Sequence, residues 1–222
     1  MYASLNRDIG GTVRNGFSRT SEAQLSSQAA HWMDALRARE TEQAAQAERG
    51  EAKGASAAAF VTRSAADADR RAFLAQIMPH ARRAGAAIGA APELIAAHAA
   101  LESGWGAKPL TNARGETTYN LFGIKATGGW RGASVAATTT EYYDGTTASK
   151  VVERFRAYPG YAGAFRDYAA LLANSPRYAH ALNAGDDANA FARGLKRGGY
   201  ATDPAYESKL VQVVSQVRGI AR

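Results

Sequence analysis

Ala-Ala-Leu-Glu-Ser-Gly-Trp-Gly, residues 99–106, decides how this chain is read. An alanine-rich helical run closes here on two glycines set around a tryptophan. The run opens at Pro92, which suits a first helical position because its missing N–H would have no partner there. Ile95, His98 and Glu102 recur at helical i, i+3, i+7 spacing, flanked by Leu94 and Leu101. Glu102 therefore shares a face with apolar side chains. It also falls in the last turn, at the negative end of the helix dipole. Both circumstances disfavour the charged carboxylate. A carboxyl group kept neutral near pH 7 is what a general acid requires. On spacing alone, a surface glutamate near a helix end fits equally well.

Working outward, the totals set bounds. A chain of 222 residues makes one ordinary domain with an extra segment, or two small domains. Its 46% hydrophobic content suffices for a core, although alanine supplies much of it. The absence of cysteine excludes disulfides and thiolate metal sites. No apolar run reaches the ~18 residues of a membrane span. The opening Met1-Tyr2-Ala3-Ser4-Leu5-Asn6-Arg7-Asp8 lacks the apolar centre of a secretory signal, so work outside the cytoplasm implies another exit route or a processed fragment. Residues 1–60 carry seven Lys/Arg against seven Asp/Glu, and residues 61–222 carry twenty against thirteen, so the net +7 belongs wholly to the second part. A basic domain is drawn to polyanions: nucleic acid, anionic lipid or the acidic peptides of a cell wall. Here the basic residues are scattered and no nucleic-acid motif is present, so nucleic acid is not expected as a partner.

Along the chain, residues 1–25 are polar and aperiodic, 26–49 fit an amphipathic helix with a thin apolar edge, and 50–59 read as a linker. The domain boundary is placed at 66/67. After it, Asp69 can cap a helix carrying Phe73, Ile77, Ala81, Ala84 and Ile88, with Pro79 as a potential kink. Residues 107–133 are glycine-punctuated loop. Thr138–Tyr143 and Val151–Arg156 read as two arms of a β-hairpin around the Asp144-Gly145 turn, with Thr139, Glu141 and Tyr143 on one face. Helices are expected again from Pro159 to about Ala173, from Ser175-Pro176 to about Asn183, from Asp187 to Gly198-Gly199, and from about Pro204 to Val217. The fold class that results is α+β, mainly helical with one inserted hairpin.

Five motifs in order carry a family resemblance: residues 99–106, Tyr-Asn-Leu-Phe-Gly-Ile-Lys at 119–125, Thr-Glu-Tyr-Tyr-Asp-Gly at 140–145, Phe-Arg-Ala-Tyr at 155–158, and Gly-Tyr-Ala-Thr-Asp-Pro-Ala-Tyr at 199–206. Together they resemble glycoside hydrolase family 73, in particular its flagellar members, over about residues 69–220. The resemblance implies a lysozyme-like fold and hydrolysis of the β-1,4 bond after N-acetylglucosamine in peptidoglycan, without a cofactor or a metal. It implies Glu102 as general acid, Glu141 on the hairpin as second carboxylate, and Tyr200 as an active-site tyrosine. It also implies a periplasmic enzyme, exported without a signal peptide by the flagellar apparatus, with rod proteins as further partners. Residues 1–66 would then be the remainder of a rod-binding region.

Glycoside cleavage needs a neutral acid at the leaving oxygen and often a charged carboxylate to direct water or steady an oxocarbenium ion. Glu102 has the surroundings for the first task, and Glu141, on a polar hairpin, for the second; Glu116 and Glu153 are its rivals. Tyr200 would orient the substrate's acetamido group or bond to Glu102, or else is a core residue. Phe122 and Trp130, with Trp105, are candidates for stacking on sugar rings. Asn120 and Tyr206 are further substrate-binding candidates. Phe122 and Trp105 also fit a core. His98, one turn before Glu102, stands where the family more often has Gln; it reads as a hydrogen-bonded helix histidine and, with Glu102 alone, makes no metal site. A lytic transglycosylase or a muramidase on the same polymer, and a non-catalytic assembly or wall-binding module, are the competing functions.

Overall fold

The computed structural model describes residues 54–221 apart from 128, 143–147 and 202, and for 54–63, 139–142 and 148–150 the backbone alone. The polar start, the expected 26–49 helix, residues 50–53, Tyr143 and the Asp144-Gly145 turn lie outside the described residues. The elements are α1 (Gly54–Ile88), α2 (Pro92–Ser103), β1 (Ser134–Tyr142), β2 (Ala148–Arg156), α3 (Tyr161–Asn174), a 3₁₀ helix (Pro176–Ala181), α4 (Ala188–Arg197) and α5 (Tyr206–Ile220). Among the described residues no helix is long and apolar enough to cross a membrane.

Helix α2 occupies the centre. Every residue from Leu94 to Ser103 is buried. A helix covered on all sides needs small side chains so that its neighbours can approach, and four of those ten positions are alanine. Helices α1 and α5 pack against it on either hand. The apolar stripe of α1, Phe73, Leu74, Ile77, Ala81, Ala84 and Ile88, faces this core. So do Phe165, Tyr168 and Leu172 of α3, Phe191 and Leu195 of α4, and Leu210, Val214 and Val217 of α5.

Helix α1 corrects the expectation for its start. It runs unbroken from Gly54 through Pro79 to Ile88, so residues 54–59 are helical and not linker, and Asp69 lies mid-helix and caps nothing. The alanines at 55 and 57–59 have the highest intrinsic helix propensity, and once α1 is anchored on the core from Phe73 onward, extension outward avoids a second nucleation. Three further boundaries move. Helix α3 starts at Tyr161 after an extended Gly160, not at Pro159. The short helix expected from Ser175-Pro176 to about Asn183 is a 3₁₀ helix that ends at Ala181. Helix α5 begins at Tyr206. Asp187 does cap α4, its Oδ1 accepting from the N–H groups of Asn189 and Ala190 at 2.8 and 2.9 Å.

The hairpin is longer than its β-branched stretches suggested. Its antiparallel register runs from Ser134↔Arg156 to Tyr142↔Ala148. Phe155 is buried and anchors the base, where Lys125 makes an isolated bridge to it. Further out, Val152 is 70% exposed, so this arm projects from the body.

Candidate active site

The turn after α2 is built from its own sequence. The Ser103 hydroxyl donates to the Ala99 carbonyl at 2.6 Å and accepts from the Gly106 N–H at 3.0 Å. Gly104, Trp105 and Gly106 all take positive φ, at 57°, 59° and 74°. Glycine does this without cost, but a tryptophan there stores backbone strain. Its ring is pinned on α1, edge-on to Phe73 at 6.2 Å and beneath the Arg70 guanidinium at 5.1 Å. The chain thus leaves α2 abruptly, with Glu102 at the helix end.

Glu102 is buried, its side chain only 3% exposed. Its Oε1 lies 3.3 Å from His98 Nε2, one turn earlier on α2, yet no hydrogen bond reaches Oε1 among the described residues. Burial raises the carboxyl above its ordinary value, and the neighbouring His98 opposes the rise without cancelling it. Around the pair stand four buried tyrosines from four segments: Tyr168 of α3, Tyr178 of the 3₁₀ helix, Tyr200, and Tyr206 of α5. Burial and the nearby Glu102 carboxyl hold the hydroxyls of Tyr168, Tyr200 and Tyr206 well above the ordinary tyrosine range. Burial does the same to Tyr178, which rises to about 12. These phenols are therefore neutral dipoles rather than charges. The site can hold one proton on Glu102 and present it to an acceptor.

The sequence-derived site residues divide. Tyr200 comes to His98, its ring edge-on at a centroid distance of 4.4 Å, but its hydroxyl donates to the Phe122 carbonyl at 2.9 Å. Tyr206 is fully buried with its hydroxyl 2.9 Å from His98 Nε2, so it does not face a groove. Phe122 is fully buried and lies flat on Tyr168, centroids 3.9 Å apart, which corrects its reading as a sugar-stacking ring. Asn120 is likewise committed inward. Its amide donates to the carbonyls of Ile124 and Arg156, each at 2.9 Å, and its Oδ1 accepts from the Ile124 N–H at 3.0 Å. It shapes the 119–125 loop and ties it to the hairpin base. Trp130 stays half-exposed, its indole N–H donating to the Ala133 carbonyl and Arg156 lying over the ring at 4.5 Å.

Glu141 is placed by its backbone opposite Ser149, near the far end of the hairpin; its side chain lies outside the described residues. Its two rivals are engaged elsewhere. Glu153 pairs with Lys125 at 3.4 Å, and Glu116 accepts from Asn112 and Arg114 within its own loop. Tyr168 and Tyr178 are not among the site residues expected from the sequence. The signal was present, since a tyrosine at an inward helical position brings a hydroxyl that needs a destination, and in Tyr168 that destination is His98.

Residues 78–219 match the family described as mannosyl-glycoprotein endo-β-N-acetylglucosaminidase. The chain belongs to this glucosaminidase family. Peptidoglycan hydrolase FlgJ of Escherichia coli strain K12 is 45% identical over 153 residues, which are 69% of this chain and 48% of that protein. The chain thus spans about half the length of the curated relatives it matches. Among solved structures, a peptidoglycan hydrolase mutant from Sphingomonas sp. A1 superposes with a TM-score of 0.64 at 45% identity, over 68% of this chain and 97% of that one. A C-terminally truncated glycoside hydrolase domain of Salmonella typhimurium FlgJ gives 0.58 at 43% identity, over 68% and 98%. The glucosaminidase domain thus has the lysozyme-like α+β fold that the five motifs implied.

Proposed function

We propose that this chain is an endo-β-N-acetylglucosaminidase that hydrolyses the β-1,4 bond between N-acetylglucosamine and N-acetylmuramic acid in peptidoglycan. The observation that carries the proposal is Glu102: a buried carboxyl raised by desolvation, at the end of a helix, with no hydrogen bond to Oε1 among the described residues. Such a group keeps its proton to higher pH than an ordinary glutamate, as a general acid requires. It delivers its proton to the glycosidic oxygen as the bond to the anomeric carbon breaks, and the charge that develops on the sugar ring is oxocarbenium-like. Glu141 is the second carboxylate, which directs water or supports that cation from the hairpin. The substrate's own acetamido group is the alternative internal nucleophile. Tyr200 acts by position, bracing His98 on one side and the Phe122 carbonyl on the other. Trp130, the half-exposed ring of the set, stacks on the glycan. The relatives named peptidoglycan hydrolase support the polymer, and the family description supports the N-acetylglucosaminide bond.

In this proposal the enzyme works in the periplasm, clearing wall for the flagellar rod. Residues 67–222 form the hydrolase, and residues 1–66 belong to the part that meets rod proteins. The name of the FlgJ relatives, peptidoglycan hydrolase, supports the hydrolase role of the matched part.

Glu102→Gln is expected to abolish clearing of a peptidoglycan suspension while the far-UV spectrum and melting curve stay native. Near-full activity in a folded Glu102→Gln variant would sink the assignment. New reducing ends are expected to carry N-acetylglucosamine. N-acetylmuramic acid there would mean a muramidase, and 1,6-anhydro ends a transglycosylase.

A further inference from the structure

The five residues around the His98 ring do more than fill space. The ring is fully buried, with Phe122, Tyr168, Phe191, Tyr200 and Tyr206 against it. Both ring nitrogens have named partners. Nδ1 is 2.6 Å from the Tyr168 hydroxyl on α3. Nε2 is 2.9 Å from the Tyr206 hydroxyl on α5 and 3.3 Å from Glu102 Oε1. Tyr178 and Tyr200 are the other titratable groups close to the Glu102 carboxyl. None of these neighbours is a cation, and His98 is the basic side chain within reach of Oε1.

The proton on the imidazole can sit on either nitrogen, and the two arrangements differ toward the carboxylate that Glu102 becomes once its proton has left. With the proton on Nδ1, a nitrogen lone pair would face Oε1 at 3.3 Å inside a buried site. That arrangement repels a carboxylate. With the proton on Nε2, Tyr168 donates into Nδ1, and the Nε2–H points between Tyr206 and Oε1. The short 2.6 Å contact suits an O–H donor on a ring nitrogen. Such a bond, loosely aligned in the unliganded protein, tightens as charge appears on the acceptor.

We propose that His98 is a positioning residue for Glu102: fixed by Tyr168 with its proton on Nε2, it supplies the ring N–H that receives the carboxylate left on Oε1 after the proton has gone to substrate. The bookkeeping is simple. Glu102 loses one proton to the leaving oxygen, His98 gains and loses none, and the Nε2–H shared between Tyr206 and Oε1 tightens on Oε1 as the carboxylate charge appears there. Without that donor, the proton would be bound so firmly by a buried carboxyl that transfer would slow. His98 thereby sets how strong an acid the site contains. This rests on Glu102 being the acid, but its test does not depend on activity alone.

The test follows the Glu102 carboxyl by carbon NMR in the wild type and in His98→Leu and His98→Gln. His98→Leu removes the donor and is expected to raise the Glu102 titration by about one to two pH units, as loss of a hydrogen bond to a charged group does. His98→Gln retains an N–H in reach and is expected to bring the titration back toward the wild type. The alkaline limb of the kcat/KM profile should move with it. A Glu102 titration unchanged in folded His98→Leu overturns the proposal, and so does equal displacement in Leu and Gln. Nitrogen NMR of the wild-type imidazole covers the case in which neither variant folds. A proton on Nε2 is expected, and a proton on Nδ1 overturns the proposal. If instead Glu102→Gln remains active while these NMR results hold, the general-acid assignment fails and the His98–Glu102 coupling stands.

Discussion

Ionising Glu102 where it stands takes free energy from the fold. Burial raises its carboxyl above the ordinary value, so the folded chain keeps a proton that the unfolded chain has already released. Stability therefore falls as pH rises from the ordinary carboxylate range through the raised folded value, and below that range Glu102 contributes nothing to the pH dependence. Glu102→Gln removes the charge, so it is expected to be more stable than the wild type at neutral and alkaline pH, with the difference vanishing in acid. Denaturant titrations across pH measure this; equal stability throughout would mean that Glu102 is not a desolvated acid. Asn120 makes the opposite prediction at the same scale. Its three bonds serve loop and hairpin backbone, so Asn120→Ala strands buried N–H and C=O groups and is expected to lower stability by about 3 kcal/mol. Activity per folded molecule should change little, as urea unfolding paired with a turnover assay would show. Glu102 and His98 were legible in the sequence because helical spacing alone puts them together. The destination of the Asn120 amide was not, because one of its acceptors, Arg156, lies on another element and only the folded register supplies it.

At the scale of elements, the 199–206 segment is held to the start of α5 by charge. Lys209, 8% exposed, donates to Asp203 Oδ2 at 2.8 Å, while Asp203 Oδ1 accepts from the Ala205 N–H at 2.8 Å. Lys196 of α4 reaches the Pro204 carbonyl and Glu207. Partial burial pushes the Asp203 carboxyl up, but the Lys209 bond, the Ala205 N–H and the two lysine charges together bring it below the ordinary aspartate value. A lowered folded value means that the stabilisation is present above the unfolded pKa and is lost as pH falls through the folded one. This segment and α5 carry Tyr200 and Tyr206, both against His98, so acid should loosen one wall of the site before the whole domain unfolds. Hydrogen exchange across residues 199–209 is expected to speed up on acidification in the wild type and to be fast and pH-insensitive in Asp203→Asn, beyond the intrinsic pH dependence of exchange. A protected segment in Asp203→Asn would assign the closure to packing alone. The sequence showed the Asp-Pro pair as a helix start, whereas the Lys209 partner follows from the first turn of α5 folding back over it.

Across the whole molecule, what could be read in advance was periodicity, and what could not was continuity. The stripe from Phe73 to Ile88 located the packed half of α1, yet nothing in that stripe marks how far a helix extends once anchored, and the alanines before it carry α1 back to Gly54. Charge was legible in a different way, as a sum requiring no fold. The whole +7 lies in residues 61–222, the part that carries the glucosaminidase domain. Many of its acidic groups are consumed internally, Asp167 by Arg156, Asp203 by Lys209 and Glu153 by Lys125, and in the same pairs a lysine or arginine is consumed with each, so the excess remains on the remaining basic side chains. Scattered along the sequence rather than striped, that excess favours approach to an anionic polymer without fixing a register on it. Its range is set by salt, because screening shortens the reach of exposed charges to about 8–10 Å at moderate ionic strength. Glu102 and its tyrosines are buried and feel little of this. Raising ionic strength is therefore expected to raise KM on intact peptidoglycan several-fold while kcat holds, and to leave KM unchanged on short uncharged chito-oligosaccharides. A fall in kcat with salt on both substrates would show instead that the ions reach the site itself.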